Sequence, residues 1–519
     1  MDLTAREPEG LNPVVRALGW LRGRDLEPET HLLTRRVFLV LMAVVYLAAF
    51  VSLWVQVQGL VGSRGIAPAA KFLEEVGEIA GGARLWRVPS LLWLWSGDAA
   101  LHALCAGGVL LSLLLAAGVA PRITAALLWL FYLSLVSVGG IFLRYQWDAL
   151  LLEAGFLAIC VAPAALRPGA AARAPADPLA VWLVRALLFK LMFLSGVVKL
   201  QSGDPAWHDL TAMELHYFTQ PLPSPTSFFV HHLPAWFHHA EVVGTFVLEL
   251  GVSFLVFAPR RLRWAAWPPL IGLQLMILAT GNYGFFNLLT VALCTFLLDD
   301  AALRRLLPQR LRPEAPDPER ARRRGWRAPR VAFAALALLL FSLNGLLVLE
   351  RLGLAAFRPE ALVSLRRQIA PLQVANAYGL FAVMTKQRDE IGLQGSADGR
   401  EWRDYGFRYK PGPPPRAPRF AGLHMPRLDW QLWFASLRGC RQARWLHGFL
   451  ARVLEGEESV LGLLEENPFP DAPPRYLRTP FLRYTFAPPG EPAWWHTEPR
   501  GEFCPVVELR NGKLSRVGG

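Results

Sequence analysis

The sequence predicts a polytopic α-helical membrane protein of about nine spans with a C-terminal β-rich extramembrane domain that contains a helical insertion. Three observations predict it. The 519 residues are 53% hydrophobic and 18% charged, with a mean hydropathy of +0.29, which is too apolar and too lightly charged for a soluble chain of this length. Apolar runs of about 20 residues, the length that crosses a bilayer core, recur as far as Leu349. Beyond them the pattern shifts to short alternating stretches and turn residues.

The runs lie near 36–57, 98–120, 123–143, 147–166, 179–200, 240–258, 264–281, 283–299 and 331–349. The formal charge of +13 raises the question of nucleic acid. The arginines, however, sit in short blocks between apolar runs, not on an amphipathic face with stacking aromatics, so the charge reads as topology and no nucleic-acid partner is expected. About 22 Lys and Arg fall in connections on one side and about five on the other. This bias predicts a cytoplasmic arm at 1–35 and a helical transmembrane module at 36–299 with an outward loop at 201–239 that holds no Lys or Arg. A basic cytoplasmic linker at 300–330, a last span at 331–350 and an outward-facing domain at 357–519 complete the division. The block from Leu303 to Arg330 could also meet anionic lipid headgroups, but its position alone accounts for its charge. The acidic residues Asp2, Glu7 and Glu9 and the lack of a short apolar core with a cleavage site argue against a removable signal peptide.

Within the tail, Tyr378–Thr385 and Glu390–Gly395 read as strands, and Asp398-Gly399 as a hairpin turn leading into EWRDYGFRY. Apolar residues Trp445, Leu446, Phe449, Leu450, Val453 and Leu454 recur at helical spacing. RYLRTPFLRYTF, the WWH at Trp494–His496 and CPVVELR return to a strand pattern. Cys105, Cys160 and Cys294 lie in apolar runs, so a disulfide between Cys440 and Cys504 is open to the tail if it faces an oxidising compartment.

Several strings resemble the lipase maturation factor family of multi-pass membrane proteins: RYQWDALLLEAGF at Arg144–Phe156, KLQSGDPAWHDLTAMELHYFTQPLPSP at Lys199–Pro225 and NYGFFNLLT at Asn282–Thr290. HMPRLDWQLWFASL at His424–Leu437 and NPFPDAPPRYLRTPFLRYTF at Asn467–Phe486 extend the resemblance to the tail. It implies a chaperone-like membrane factor, not itself an enzyme, that helps secreted lipases fold, assemble or mature, with membrane lipids and a secreted client protein as partners and no cofactor. The outward tail would meet the client. Animal members of the family are expected in the endoplasmic reticulum membrane; a bacterial one would sit in the inner membrane with its tail in the periplasm. The membrane part is also similar to the helical module of vitamin K-dependent gamma-carboxylases, on Gly196, Lys199 and Trp207, although QSGDP before Trp207 departs from that spacing. That similarity implies the alternative of a membrane enzyme with Lys199 as base and a lipid-soluble cofactor or substrate.

Charged residues inside apolar runs call for a reason. At about 1.5 Å per residue, Lys190 and Glu249 both fall near mid-membrane, and they are expected to pair, either as structural glue or as a proton or polar-ligand site. Lys199, Asp148 and Glu241 fall near the outer face. Lys199 reads as a base favoured by partial desolvation or, preferably, as an interfacial lysine that snorkels. Asp148 and Glu153 stand about 140° apart around a helix, which does not favour a paired acid and base. The outward loop carries Trp207, His208, Glu214 and His216, and six of the chain's eleven histidines. His231, His232, His238, His239 and Glu241 invite a metal, but there is no HExxH and adjacent histidines cannot aim both rings at one ion, so headgroup-level histidines are preferred. Trp430, Trp433, Phe434, Trp494 and Trp495 are candidates for client binding or for the core of the tail domain. No nucleophile elbow or Ser/His/Asp set marks the chain as a lipase.

Overall fold

The computed structural model describes residues 13–168, 176–306, 328–354, 356 and 358–517. The start of the N-terminal arm and most of the basic linker lie outside the described residues. Nine helices form the membrane part: α1 (Leu32–Trp54), α2 (Asp98–Ala117), α3 (Pro121–Val138), α4 (Gln146–Val161), α5 (Pro178–Gln201), α6 (Ala235–Phe246), α7 (Arg260–Thr280), α8 (Phe286–Cys294) and α9 (Ala328–Arg351). Among the described residues, seven are long and apolar enough to cross a membrane, α6 being counted with its continuation to Phe257. The count becomes eight if Phe286–Leu297 and Asp300–Leu306, bent by 116°, make one span. The remaining helix, α4, has 16 residues, about 24 Å of rise, and is buried along most of its length inside the bundle.

Local sequence sets where these helices begin and end. Asp177 caps α5 by accepting from Leu179 N at 2.9 Å, and Pro178 occupies the first turn, where no N–H is needed. Gly118, at φ 75°, closes α2 in the left-handed conformation. The start of α1 is capped from far along the chain, because the Asp300 carboxylate accepts from Leu32 N at 2.8 Å and from Thr34 N at 3.0 Å.

The helices run alternately between two ends of the bundle. At one end Glu29 accepts from Arg185 at 3.0 Å and Arg263 at 2.7 Å, and Arg260 binds Asp299 at 2.5 Å. The other end is covered by the tail. Ser52 and Gln56, at the end of α1, hydrogen-bond the Met425 backbone, and Asn282 holds Arg419 O and Ala421 N.

The tail holds two antiparallel sheets. One has the order β1-β5-β6, from Arg388–Ile391, Pro480–Phe486 and Trp495–Glu502. The other has the order β3-β2-β4-β7-β8, from Arg403–Asp404, Gln394–Ser396, Tyr476–Arg478, Val507–Arg510 and Lys513–Arg516. Glu390 pairs with Leu482 and Tyr484 with Thr497, so β5 runs through the centre of the first sheet. Between the strands lie α10 (Arg427–Ser436) and α11 (Arg444–Leu454), whose Leu446, Phe449, Leu450 and Val453 are buried. Cys440 and Cys504, 64 residues apart, form a disulfide.

One expectation needs correction. Tyr378–Thr385 is not a strand. It is an extended connection whose hydrogen bonds go to the bundle: Gly379 N donates to Gln146 Oε1 at 3.0 Å, and the Tyr378 hydroxyl donates to Glu153 at 2.7 Å. Gln146 of α4 takes both the N–H and the carbonyl of Gly379, and the Asp204 carboxylate accepts from Met384 N at 2.6 Å, so these backbone groups are answered without a sheet. Arg427–Ser436 is a helix, with Leu428, Trp430, Leu432 and Trp433 buried.

Candidate functional site

The two lysines of α5 do not share a partner. Nine residues apart on one helix, Lys190 and Lys199 point about 180° from each other, so one carboxylate cannot reach both. Lys190 Nζ donates to Glu153 on α4 at 2.5 Å and to Asn344 on α9. The other oxygen of Glu153 accepts from Tyr378 and from Asn376 N at 2.9 Å. Glu249 belongs instead to Lys199, at 2.8 Å from both of its oxygens. The expected Lys190–Glu249 pair is therefore replaced by two separate pairs on opposite faces of α5. Depth alone suggested the pairing, but Glu249 stands on the face of α5 that carries Lys199.

Glu249 is delivered by a π turn, Val247–Gly251, that continues α6, an irregularity frequent at functional sites. Close approach of this turn to α5 depends on Gly196, where a Cβ would lie 2.7 Å from Leu250 Cδ2 and 3.1 Å from Glu249 Cβ. Lys199 Nζ has a third acceptor, Ser195 O, at 3.2 Å, and stands over the Trp207 ring at 5.3 Å. The nitrogen is thus held between the Glu249 carboxyl and a carbonyl of its own helix, as a structural ion pair would hold it.

The pair forms one wall of a cavity of about 100 Å³ lined by Lys199, Glu249, Thr245, Gln274, Tyr283 and Phe381, with Leu191, Met192 and Ile277 on its apolar side. Four residues of the outward loop reach it, Trp207, Met213, His216 and Tyr217. Trp207 is buried and donates to Phe381 O at 3.0 Å; His216 lies 3.3 Å from the Tyr283 hydroxyl and edge-on to Phe381. Burial, with the Lys199 charge adding to it, lowers the His216 pKa to about 4, so its ring is neutral at pH 7. His208 is exposed, and Glu214 turns away to His239 at 3.3 Å. Phe381, which roofs the cavity, comes from the tail and has φ 54°, a conformation that side chains other than glycine rarely adopt.

The loop histidines do not converge on an ion. His238 pairs with Glu241 at 3.0 Å, Glu241 accepts from Tyr217 at 2.5 Å, and His231 and His232 pack against Phe486. Among the described residues no group of three or more His, Cys, Asp or Glu side chains could hold a metal.

The tail aromatics proposed for client binding turn inward. Trp430, Trp433 and Trp495 are 3%, 7% and 1% exposed, and Phe434 and Trp494 are half-buried. Trp430 packs on Trp147 at 4.7 Å between ring centres, and Trp494 packs on Phe228 at the same separation. These rings therefore join the tail to the bundle and its loop, because the apolar surface there is shared between the two parts. Sequence reasoning missed the partner of Asp148. Arg427 of α10 binds it through both guanidinium nitrogens, at 2.8 and 2.9 Å, and the Tyr132 hydroxyl donates to it at 2.5 Å.

Residues 33–305 match the lipase maturation factor transmembrane domain, and residues 374–505 match the lipase maturation factor C-terminal domain. The chain belongs to the lipase maturation factor family. It is 37% identical to lipase maturation factor 2 of Rattus norvegicus, over 93% of this chain and 84% of that protein. It is 35% identical to lipase maturation factor 1 of Bos taurus, over 95% and 92% respectively. No solved structure matches it. Lys199, Trp207, His216 and Glu249 lie in the first matched region and Phe381 in the second, so the site is built from both.

Proposed function

We propose that this lipase maturation factor assists the folding, assembly or maturation of a secreted protein, a lipase by analogy with the names of its relatives, and that its C-terminal domain is the part that meets the client. In this reading the domain faces the lumen of the endoplasmic reticulum or, in a bacterial cell, the periplasm. The observation that carries the reading is the way the domain is held. Its own disulfide suits an oxidising compartment, and a fully buried Arg427–Asp148 pair fixes it to one end of a membrane bundle. A client captured there would be kept beside the bilayer on the secretory side. The alternative of a membrane enzyme with Lys199 as base has less support, since its nitrogen is engaged by Glu249 and Ser195 O.

The test is to remove the protein from its host and measure the activity of secreted lipases per unit of lipase antigen. Specific activity is expected to fall and to be restored by the full chain, including a Lys199→Ala version, but not by a chain cut before residue 374. Unchanged specific activity of every secreted lipase would overturn the maturation role, and failure of Lys199→Ala alone would favour the enzyme. Sidedness is read from a Glu401→Cys variant at an exposed position of the tail, which an impermeant maleimide should label from the lumenal or periplasmic side.

A further inference from the structure

The cavity beside Lys199 has features that a structural ion pair does not require. Gln274 is 4% exposed and Thr245 is 5% exposed, and both line the cavity. The Gln274 Oε1 accepts from Asn287 Nδ2 at 3.0 Å, while the Gln274 amide nitrogen and the Thr245 hydroxyl have no hydrogen-bond partner among the described residues. Buried polar groups left without partners are rare and costly. One donor and one hydroxyl thus face the same space from two helices, α7 and α6, with apolar Leu191, Met192, Leu273 and Ile277 beside them.

We propose that this cavity binds an uncharged, single-chain acyl lipid of the monoacylglycerol class. The head must be neutral, because Lys199 and Glu249 already answer each other at 2.8 Å and a further charge would have no opposite partner in the cavity. An anionic head would have to displace Glu249 from a buried pair. An ester carbonyl can accept from Gln274 Nε2, and a glycerol hydroxyl can exchange a hydrogen bond with Thr245. The volume of about 100 Å³ takes no more than the glycerol head, and the chain leaves it along the apolar side. Gln274 is six residues from the tail-side end of α7, about 9 Å along the helix, so the site lies at the depth of the leaflet nearest the tail. Phe381, Trp207 and Tyr283 close it above. This binding is independent of whether the client is a lipase.

The experiment uses the full chain in phosphatidylcholine nanodiscs with a monoacylglycerol whose acyl chain carries a diazirine. Saturable labelling is expected on the segments Leu191–Lys199 and Leu273–Thr280, displaced by excess monoolein and not by oleate. Thr245→Val with Gln274→Leu, and separately Met192→Trp, which fills the space, should each lower saturable labelling at least fivefold, while Leu275→Ala on the exposed face of α7 leaves it unchanged. Labelling that does not saturate, or that falls equally on the exposed Phe254, overturns the site. Displacement by oleate as effective as by monoolein overturns the neutral head. The competition on the unaltered chain decides the matter even where a variant fails to fold.

Discussion

Arg427 of the tail and Asp148 at the start of α4 form a two-pronged ion pair with neither side chain exposed, and the Phe142 carbonyl accepts a further guanidinium proton at 2.6 Å. Breaking such a pair from one side leaves a buried charge without an answer. Arg427→Met alone should therefore destabilise the folded chain by about 3–5 kcal/mol, whereas Arg427→Met with Asp148→Leu should recover most of the loss. Denaturant unfolding in detergent, with protease cleavage of the tail as a second readout, checks both. Equal losses in the single and double variants would show that the pair contributes only packing.

The re-pairing of the intramembrane charges has its own signature. Double-mutant cycles should give coupling of about 0.5–3 kcal/mol for Lys190 with Glu153 and for Lys199 with Glu249, and none for Lys190 with Glu249. Met and Gln replacements of similar size serve for the cycle. Coupling between Lys190 and Glu249 would contradict the separate pairs.

The Cys440–Cys504 bond closes a loop of 64 residues. In the chain-entropy account a loop of that length stabilises by about 4 kcal/mol. Reduction, or Cys440→Ser with Cys504→Ser, should lower the stability of the tail by that order and leave the helical content of the bundle unchanged. Circular dichroism with and without reductant separates the two parts.

Acid should loosen the seam between tail and bundle through His424. Its Nδ1 lies 3.0 Å from the Ser52 hydroxyl, and burial, helped by the charges of Arg427 and Arg408, lowers its pKa to about 4. The unfolded chain takes up this proton near pH 6.5 and the folded chain only near pH 4. The unfolded state therefore binds more protons between these values, and the contribution is fully present above pH 6.5 and lost as the pH falls toward 4. His424→Asn should flatten the stability profile in this window. A profile identical to that of the unaltered chain would remove His424 from the account.

Much of the architecture was legible because membrane spans and strands leave periodic signatures. The runs near 36–57, 98–120, 123–143 and 179–200 needed only length and hydropathy, and helices ending at Trp54, Ala117, Val138 and Gln201 answer to them. The site was less legible, for a physical reason. Lys190, Lys199 and Glu249 stood out as charges in apolar runs, but depth is a one-dimensional measure, and their partners depended on azimuth and on which helices are neighbours. Spacing within α5 alone would have separated the lysines. Nothing local marks Arg427 as the partner of Asp148, or Phe381 as a roof residue, because those contacts join segments far apart in the chain. The tail tryptophans misled for the same reason: an aromatic cluster looks alike whether it awaits a partner or already has one within its own chain.

The hydrogen bond from Met425 N to Ser52 Oγ, 2.8 Å long, joins residues 373 positions apart. At a synthesis rate of about 5–20 residues per second, the first helix waits on the order of 20 to 70 seconds after it is made before its far-end partner exists. During that interval Ser52 and Gln56, and for a shorter time Asp148, have only lipid, water or other proteins to answer them. A newly inserted bundle is thus an unfinished object until its last third emerges, and a ribosome that stalls before His424 leaves in the membrane a chain whose polar groups invite outside help. A protein proposed to assist the maturation of others passes through a long period in which it is itself immature.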